Sequence, residues 1–156
     1  MRKISLIFVL SLALLGCGLG DGNSLDPGKK AQLLVKQGSR HLEKQEYDLA
    51  IDSFQKALAL EGDSAVAYNL LGMACRFKYN QTRHHKWREK EIAAFQKALD
   101  IDPNYWVALI NLGATFYYQG EKDKAAPLFA RALKVNPHHP EKNQLQHMIA
   151  EGQQQP

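Results

Sequence analysis

Phe54-Gln55-Lys56-Ala57-Leu58 recurs letter for letter at Phe95–Leu99, and a variant, Phe129-Ala130-Arg131-Ala132-Leu133, follows 34 residues after the second copy. Upstream of each copy stands a glycine among apolar residues at helical spacing: Gly38, Gly72 and Gly113. Aligned on these glycines, the units run 31–64, 65–105 and 106–139. Self-similarity at such a period marks stacked repeats rather than one irregular core. The repeated positions are small, aromatic or aliphatic, so they speak for packing and not for catalysis.

The first unit places Leu34, Gly38, Ala50, Phe54 and Ala57 in register with Tyr68, Leu71, Gly72, Cys75, Phe95, Ala98 and Pro103 of the second. The third supplies Leu109, Leu112, Gly113, Phe116, Ala125, Phe129, Ala132 and Pro137. Apolar residues three and four apart put a stripe on one face of each helix. Glycine and alanine let two antiparallel helices approach closely, and the phenylalanine fills the space they leave. Pro103 and Pro137 cannot sit in a helix interior and mark the junctions between units. Asp63-Ser64 and Asp102-Pro103 read as helix starts, because their side-chain oxygens can accept free N–H groups of a first turn. The pattern predicts helices near 28–44, 47–60, 64–80, 88–101, 104–118 and 122–135. A seventh, near 140–151, carries Leu145, Met148 and Ile149 on one side and polar residues elsewhere, as a terminal cap should. No segment alternates as a strand does.

Taken together, these residues resemble the tetratricopeptide repeat family over about 109 of the 156 residues. The resemblance implies an all-α fold: three tandem helix-turn-helix units over 29–139 forming a short right-handed α-solenoid. A capping helix at 140–151 and a tail at 152–156 complete it. Three departures stand out. The second unit holds seven extra residues between Cys75 and Glu91, which either lengthen both helices by about one turn each or protrude as a loop around Asn80–Thr82. Glu91 occupies the close-packing position that Ala50 and Ala125 fill elsewhere, and an unpaired buried carboxylate there would be costly. Either it escapes past the helix edge or the second pair is splayed. Pro127 is tolerable only if its helix starts near Asp123.

The N-terminus reads as an address. Arg2 and Lys3 precede an apolar run, Ile4–Ala13, which is shorter than the roughly 20 residues a span requires. Leu14-Leu15-Gly16-Cys17 resembles the lipobox of bacterial lipoprotein precursors, which implies a signal peptide over 1–16 and acylation of Cys17. Residue Gly18, not Asp, follows the cysteine. By the same resemblance that favours a cell-envelope location on the outer membrane, facing the periplasm, over the inner membrane. The alternatives are a transmembrane anchor and a cleaved signal without lipid. Residues 17–28, with Gly18, Gly20, Gly22, Asn23, Ser24 and Pro27, read as the lipidated cysteine and a flexible tether.

Charge adds little. The chain has 20 Lys+Arg against 16 Asp+Glu, and loss of Arg2 and Lys3 leaves 18 against 16, which does not argue for a nucleic-acid partner. With Cys17 acylated, Cys75 is the remaining thiol, expected as a small buried hydrophobe.

Tetratricopeptide arrays line a concave groove with the first helix of each pair. Carried onto this chain, the groove positions include Val35, Ser39 and Leu42, then Asn69, Met73, Arg76 and Phe77, then Ile110, Ala114, Tyr117 and Tyr118, with Asn111 adjacent. Such a surface implies an amphipathic helix or extended peptide with apolar anchors and one carboxylate. The alternative is that Tyr117 and Tyr118 pack on the capping helix. The carboxylate clamp of chaperone-binding relatives is not matched, since Val35, Ser39, Leu70 and Val107 stand at its positions. A second candidate is the basic cluster Arg83, His84, His85, Lys86 and Arg88 around Trp87, either a site for an acidic partner, lipid headgroups or anionic glycan, or a solvated hairpin tip. His84 and His85 point about 100° apart on a helix with no third ligand, so no metal is expected. No nucleophile pairing, phosphate loop or cofactor motif appears, so no catalytic residue is nominated.

The expected function is therefore non-enzymatic: a membrane-anchored scaffold or assembly factor for an envelope complex, holding an envelope protein or peptide. Lipoproteins of pilus assembly and secretin pilotins are similar in combining a lipidated cysteine with such repeats. The alternative is a surface-interaction protein that contacts anionic lipid or glycan through Arg83–Arg88.

Overall fold

A computed structural model describes residues 26–154; the expected signal peptide, Cys17 and most of the tether lie outside the described residues. Seven helices follow one another: α1 (Pro27–Glu43), α2 (Tyr47–Leu60), α3 (Ala65–Thr82), α4 (His85–Ile101), α5 (Trp106–Tyr118), α6 (Lys122–Val135) and α7 (Lys142–Gln153). No strand occurs among the described residues. Each odd-numbered helix through α5 packs on the helix after it, and α2 on α3, α4 on α5 and α6 on α7 carry the stack forward. Helix α1 also touches α3, and α3 touches α5, so the first helices of the pairs share one face of the array. Three helical pairs and a cap agree with the repeat reading.

The packing inside each pair follows from one small and one large residue. A Cβ built on Gly38 would lie 2.6 Å from Phe54 Cε1, one on Gly72 2.6 Å from Phe95 Cε1, and one on Gly113 2.7 Å from Phe129 Cε1. All three rings are buried. The repeated motif is thus a ring set against bare helix backbone. A cluster of Ala50, Ile51, Phe54, Ala74 and Cys75 joins the first two pairs, and Ala125, Phe129, Leu145 and Met148 join the third pair to the cap.

Chain ends and turns are decided locally. Asp26 accepts from the backbone N–H of Lys29 at 3.4 Å, with Pro27 opening the helix, so α1 begins inside the expected tether. Ser64 Oγ accepts from the N–H of Ala67 at 3.2 Å. Asp102 does not start α5, whose N-cap is Tyr105; it closes α4, and its Oδ1 accepts from the N–H of Asn104 at 2.9 Å in the turn between them. The seven extra residues are helical, not a loop: α3 runs to Thr82 and α4 starts at His85. Arg83, with φ 57°, makes the reversal. Pro127 lies inside α6, which begins at Lys122. The carbonyl that loses its donor belongs to Asp123, an exposed residue in the first turn of the helix.

Candidate functional site

The α3–α4–α5 junction is where this chain departs most from its own repeat. Glu91 is fully buried, yet it neither slips past the helix edge nor splays the pair, correcting both expectations. Its Oε1 accepts from Arg76 Nε at 2.7 Å and from Thr115 Oγ1 at 2.6 Å, and its Oε2 accepts from Arg88 Nη1 at 2.6 Å. Two guanidiniums and a hydroxyl therefore compensate the buried charge.

The network continues across the units. Arg76 Nη1 donates to Asn111 Oδ1 at 3.1 Å, and Nη2 donates to the Asn111 carbonyl at 2.6 Å and to Thr115 Oγ1 at 2.9 Å. Asn111 Nδ2 donates in turn to Asn69 Oδ1 at 2.9 Å. The Arg76 guanidinium also lies 5.0 Å from the Phe95 ring centre. Three expected groove residues, Asn69, Arg76 and Asn111, are thereby a polar seam between the second and third units. Arg76 has a carboxylate already, in Glu91, so its expected role as receptor of a partner's carboxylate does not follow from its surroundings.

The other groove candidates divide by exposure. Val35 and Leu42 pack against the first core cluster, and Ser39 Oγ donates to the Val35 carbonyl at 3.1 Å. Ile110 and Ala114 pack against the second cluster. Tyr117 donates to Glu151 Oε2 at 2.6 Å, and Lys122 Nζ donates to the same oxygen at 2.8 Å. These bonds hold Glu151 below its ordinary carboxylate value, Lys122 first and Tyr117 next, and raise the Tyr117 phenol. Tyr117 thus follows the alternative of packing on the cap. Tyr118, 76% exposed, stands edge-on to Tyr117, while Phe77 is 38% exposed and stacked on Tyr47 with ring centres 5.5 Å apart. With half-buried Met73, Phe77 and Tyr118 remain free for contact.

The basic cluster divides too. Trp87 packs against the first core cluster, with Lys86 and Lys90 ammonium groups 5.1 and 4.8 Å from its ring centre. Arg88 turns inward to Glu91 and stacks 4.0 Å from the Tyr79 ring centre. Arg83, His84, His85 and Lys86 stay exposed. Between this hairpin tip and the end of α5 opens a cleft of about 660 Å³. Nothing in the sequence marks it, since its walls come from residues some 40 positions apart. Among the described residues no three His, Cys, Asp or Glu side chains converge as a metal site would need, and no helix is long and apolar enough to cross a membrane. Cys75 is buried, and burial pushes its thiol up to about 12.

Comparison with known proteins fits this geometry. Residues 35–76 and 106–139 match family models described as tetratricopeptide repeat. The photosystem I assembly protein Ycf3 of Acaryochloris marina is 30% identical over 106 residues, covering 58% of this chain and 61% of that protein. Small glutamine-rich tetratricopeptide repeat-containing protein 2 of Saccharomyces cerevisiae is 25% identical over 109 residues, covering 68% of this chain and 29% of that protein. The chain thus spans about a third to two thirds of the length of these relatives. Among solved structures, the first repeat domain of Spaghetti (RPAP3), bound to the HSP90 peptide SRMEEVD, superposes with a TM-score of 0.68. It is 21% identical and covers 80% of this chain and 94% of its own. The Acaryochloris relative is named as an assembly protein, and the Spaghetti domain is bound to a peptide. The chain carries tetratricopeptide repeats, stacked as an all-α solenoid.

Proposed function

We propose that the chain is a lipid-anchored, non-enzymatic scaffold or assembly factor that holds an envelope protein on the shared inner face of α1, α3 and α5. The observation that carries this reading is the set of side chains left unspent on that face: Met73, Phe77 and Tyr118 are accessible while their polar neighbours are locked into the seam. Aromatic and methionine side chains of this kind anchor peptides well. An assembly role also agrees with the similarity to the Acaryochloris photosystem I assembly protein. Anchoring rests on Arg2-Lys3, the run Ile4–Ala13 and the Leu14–Cys17 box. Diacylglycerol at Cys17 would supply stable attachment, and Gly18 favours the outer membrane facing the periplasm. A pilus or secretin system is compatible with this combination.

Pull-down from detergent-solubilised envelopes tests the reading. A partner recovered with the wild type and lost with Phe77→Ala, Tyr118→Ala supports it, and equal recovery with the folded variant contradicts it. Arg76 is unsuitable for this test because its loss would strand Glu91. A second reading, contact with anionic lipid or glycan, keeps the exposed Arg83, His84, His85 and Lys86 as its basis. Such binding would fall steeply with added salt and vanish on reversing Arg83 and Lys86.

A further inference from the structure

The cleft between the α3–α4 reversal and the end of α5 is built unlike the rest of the groove. Arg76, Arg83 and Arg88 line it together with Tyr79, Asn80 and Tyr118. Two of these guanidiniums share the single negative charge of Glu91, so that buried group keeps a net positive charge. The Nε–H of Arg88 is buried and has no hydrogen-bond partner among the described residues. A buried donor left unmatched beside excess positive charge is disfavoured unless an acceptor arrives. Arg83 adds a third cation at the rim, exposed, 5.9 Å from the Tyr79 ring centre and in no ion pair among the described residues. Glu121, the acidic lining residue, is already paired with Lys124. Three guanidiniums thus line the cleft, the one carboxylate paired with them among the described residues is Glu91, and positive charge is in excess.

We propose that this cleft is a carboxylate subsite, which takes an aspartate, glutamate or chain-end carboxylate from an acidic segment of the protein partner. The inference rests on the groove reading above and adds the chemistry of the occupant. Continuity favours a peptide: Tyr118 belongs both to the cleft and to the accessible inner face, so one extended segment can place an apolar side chain near Phe77 and an acid among the arginines. A membrane surface would meet His84 and Lys86 at the tip before it met the recessed Arg88. The inserted residues create the site, because they lengthen α3 and α4 beyond the other pairs and set Tyr79 and the reversal at Arg83 beside Arg88.

The test is NMR on the full-length protein in detergent micelles, following the arginine Nε–Hε signals assigned by substitution. The probes are a peptide of alternating glutamate and leucine, its glutamine counterpart, and vesicles of phosphatidylglycerol. The glutamate peptide is expected to shift the Arg83 and Arg88 signals saturably, with the glutamine peptide at least about tenfold weaker, as loss of a charge-assisted hydrogen bond implies. Arg83→Gly is expected to weaken the glutamate peptide several-fold. That change relieves the left-handed backbone at φ 57°, so the loss cannot be ascribed to unfolding. Equal binding of both peptides, with Tyr118 perturbed and the arginines silent, would overturn the subsite and leave the groove reading intact. Arginine shifts with vesicles but not with the peptide would overturn it in favour of lipid. No shift with any probe would overturn it as well, while envelope capture still judges the groove separately.

Discussion

Glu91 stands where the other units carry Ala50 and Ala125, and the sequence marks it as a conflict without showing the resolution. Its partners lie at Arg76, Arg88 and Thr115, brought together only by the crossing of three helices. Removing one partner strands the charge: Arg76→Met is expected to cost about 3–5 kcal/mol in urea unfolding. Replacing Arg76, Glu91 and Arg88 together by apolar residues should recover most of that loss. The glycines, by contrast, were legible, because each recurs at a fixed distance before its phenylalanine. Gly72→Ala would push a Cβ to 2.6 Å from the Phe95 ring, and about 1–3 kcal/mol of destabilisation should follow in the same assay. Cys75 has its thiol raised by burial, so it stays protonated through neutral pH, and any stability it contributes is lost only as pH rises toward about 12. A thiol reagent at pH 8 should leave it unmodified until denaturant is added. One equivalent reacting after denaturation fits an acylated Cys17, whereas two would contradict acylation.

At the scale of elements, helix positions followed from the apolar spacing to within a few residues, and the extra turns of α3 and α4 were one of two readings that spacing allowed. The reversals were less legible. Each pair turns through a residue with positive φ, Gln45 at 61°, Arg83 at 57° and Gly120 at 87°, and only the third is a glycine. Gln45→Gly should therefore stabilise the chain by about 0.5–1 kcal/mol, read as a rise in Tm. The cap was visible as the stripe Leu145, Met148 and Ile149, but its latch was not. Glu151 reaches back to Lys122 and Tyr117, and these bonds hold its carboxyl below the ordinary value of 4.5. A carboxylate with a depressed pKa stabilises the fold above its unfolded value, and that contribution disappears as pH falls through the folded one. Amide exchange along α7 should accelerate below about pH 4.5 in the wild type, and this acid dependence should flatten in Glu151→Gln. An unchanged profile in the variant would place the latch elsewhere.

Across the whole molecule, the period of the repeat decided the architecture, since three pairs and a cap are what such a period can close into a core. The site was only partly legible. Position in the repeat says which residues face the groove, but not which of them the protein spends on itself. Asn69, Arg76 and Asn111 tie units two and three together, Tyr117 serves the cap, and Met73, Phe77 and Tyr118 remain for a partner. The claim that matters most is that this face holds another protein. A photo-crosslinking amino acid placed at Met73 or Tyr118, and for comparison at exposed Gln96 on α4, tests it in intact cells. A discrete adduct of one size from Met73 and Tyr118, absent from Gln96, is the predicted result. Adducts from Gln96 alone, or the same adducts from all three positions, would contradict it.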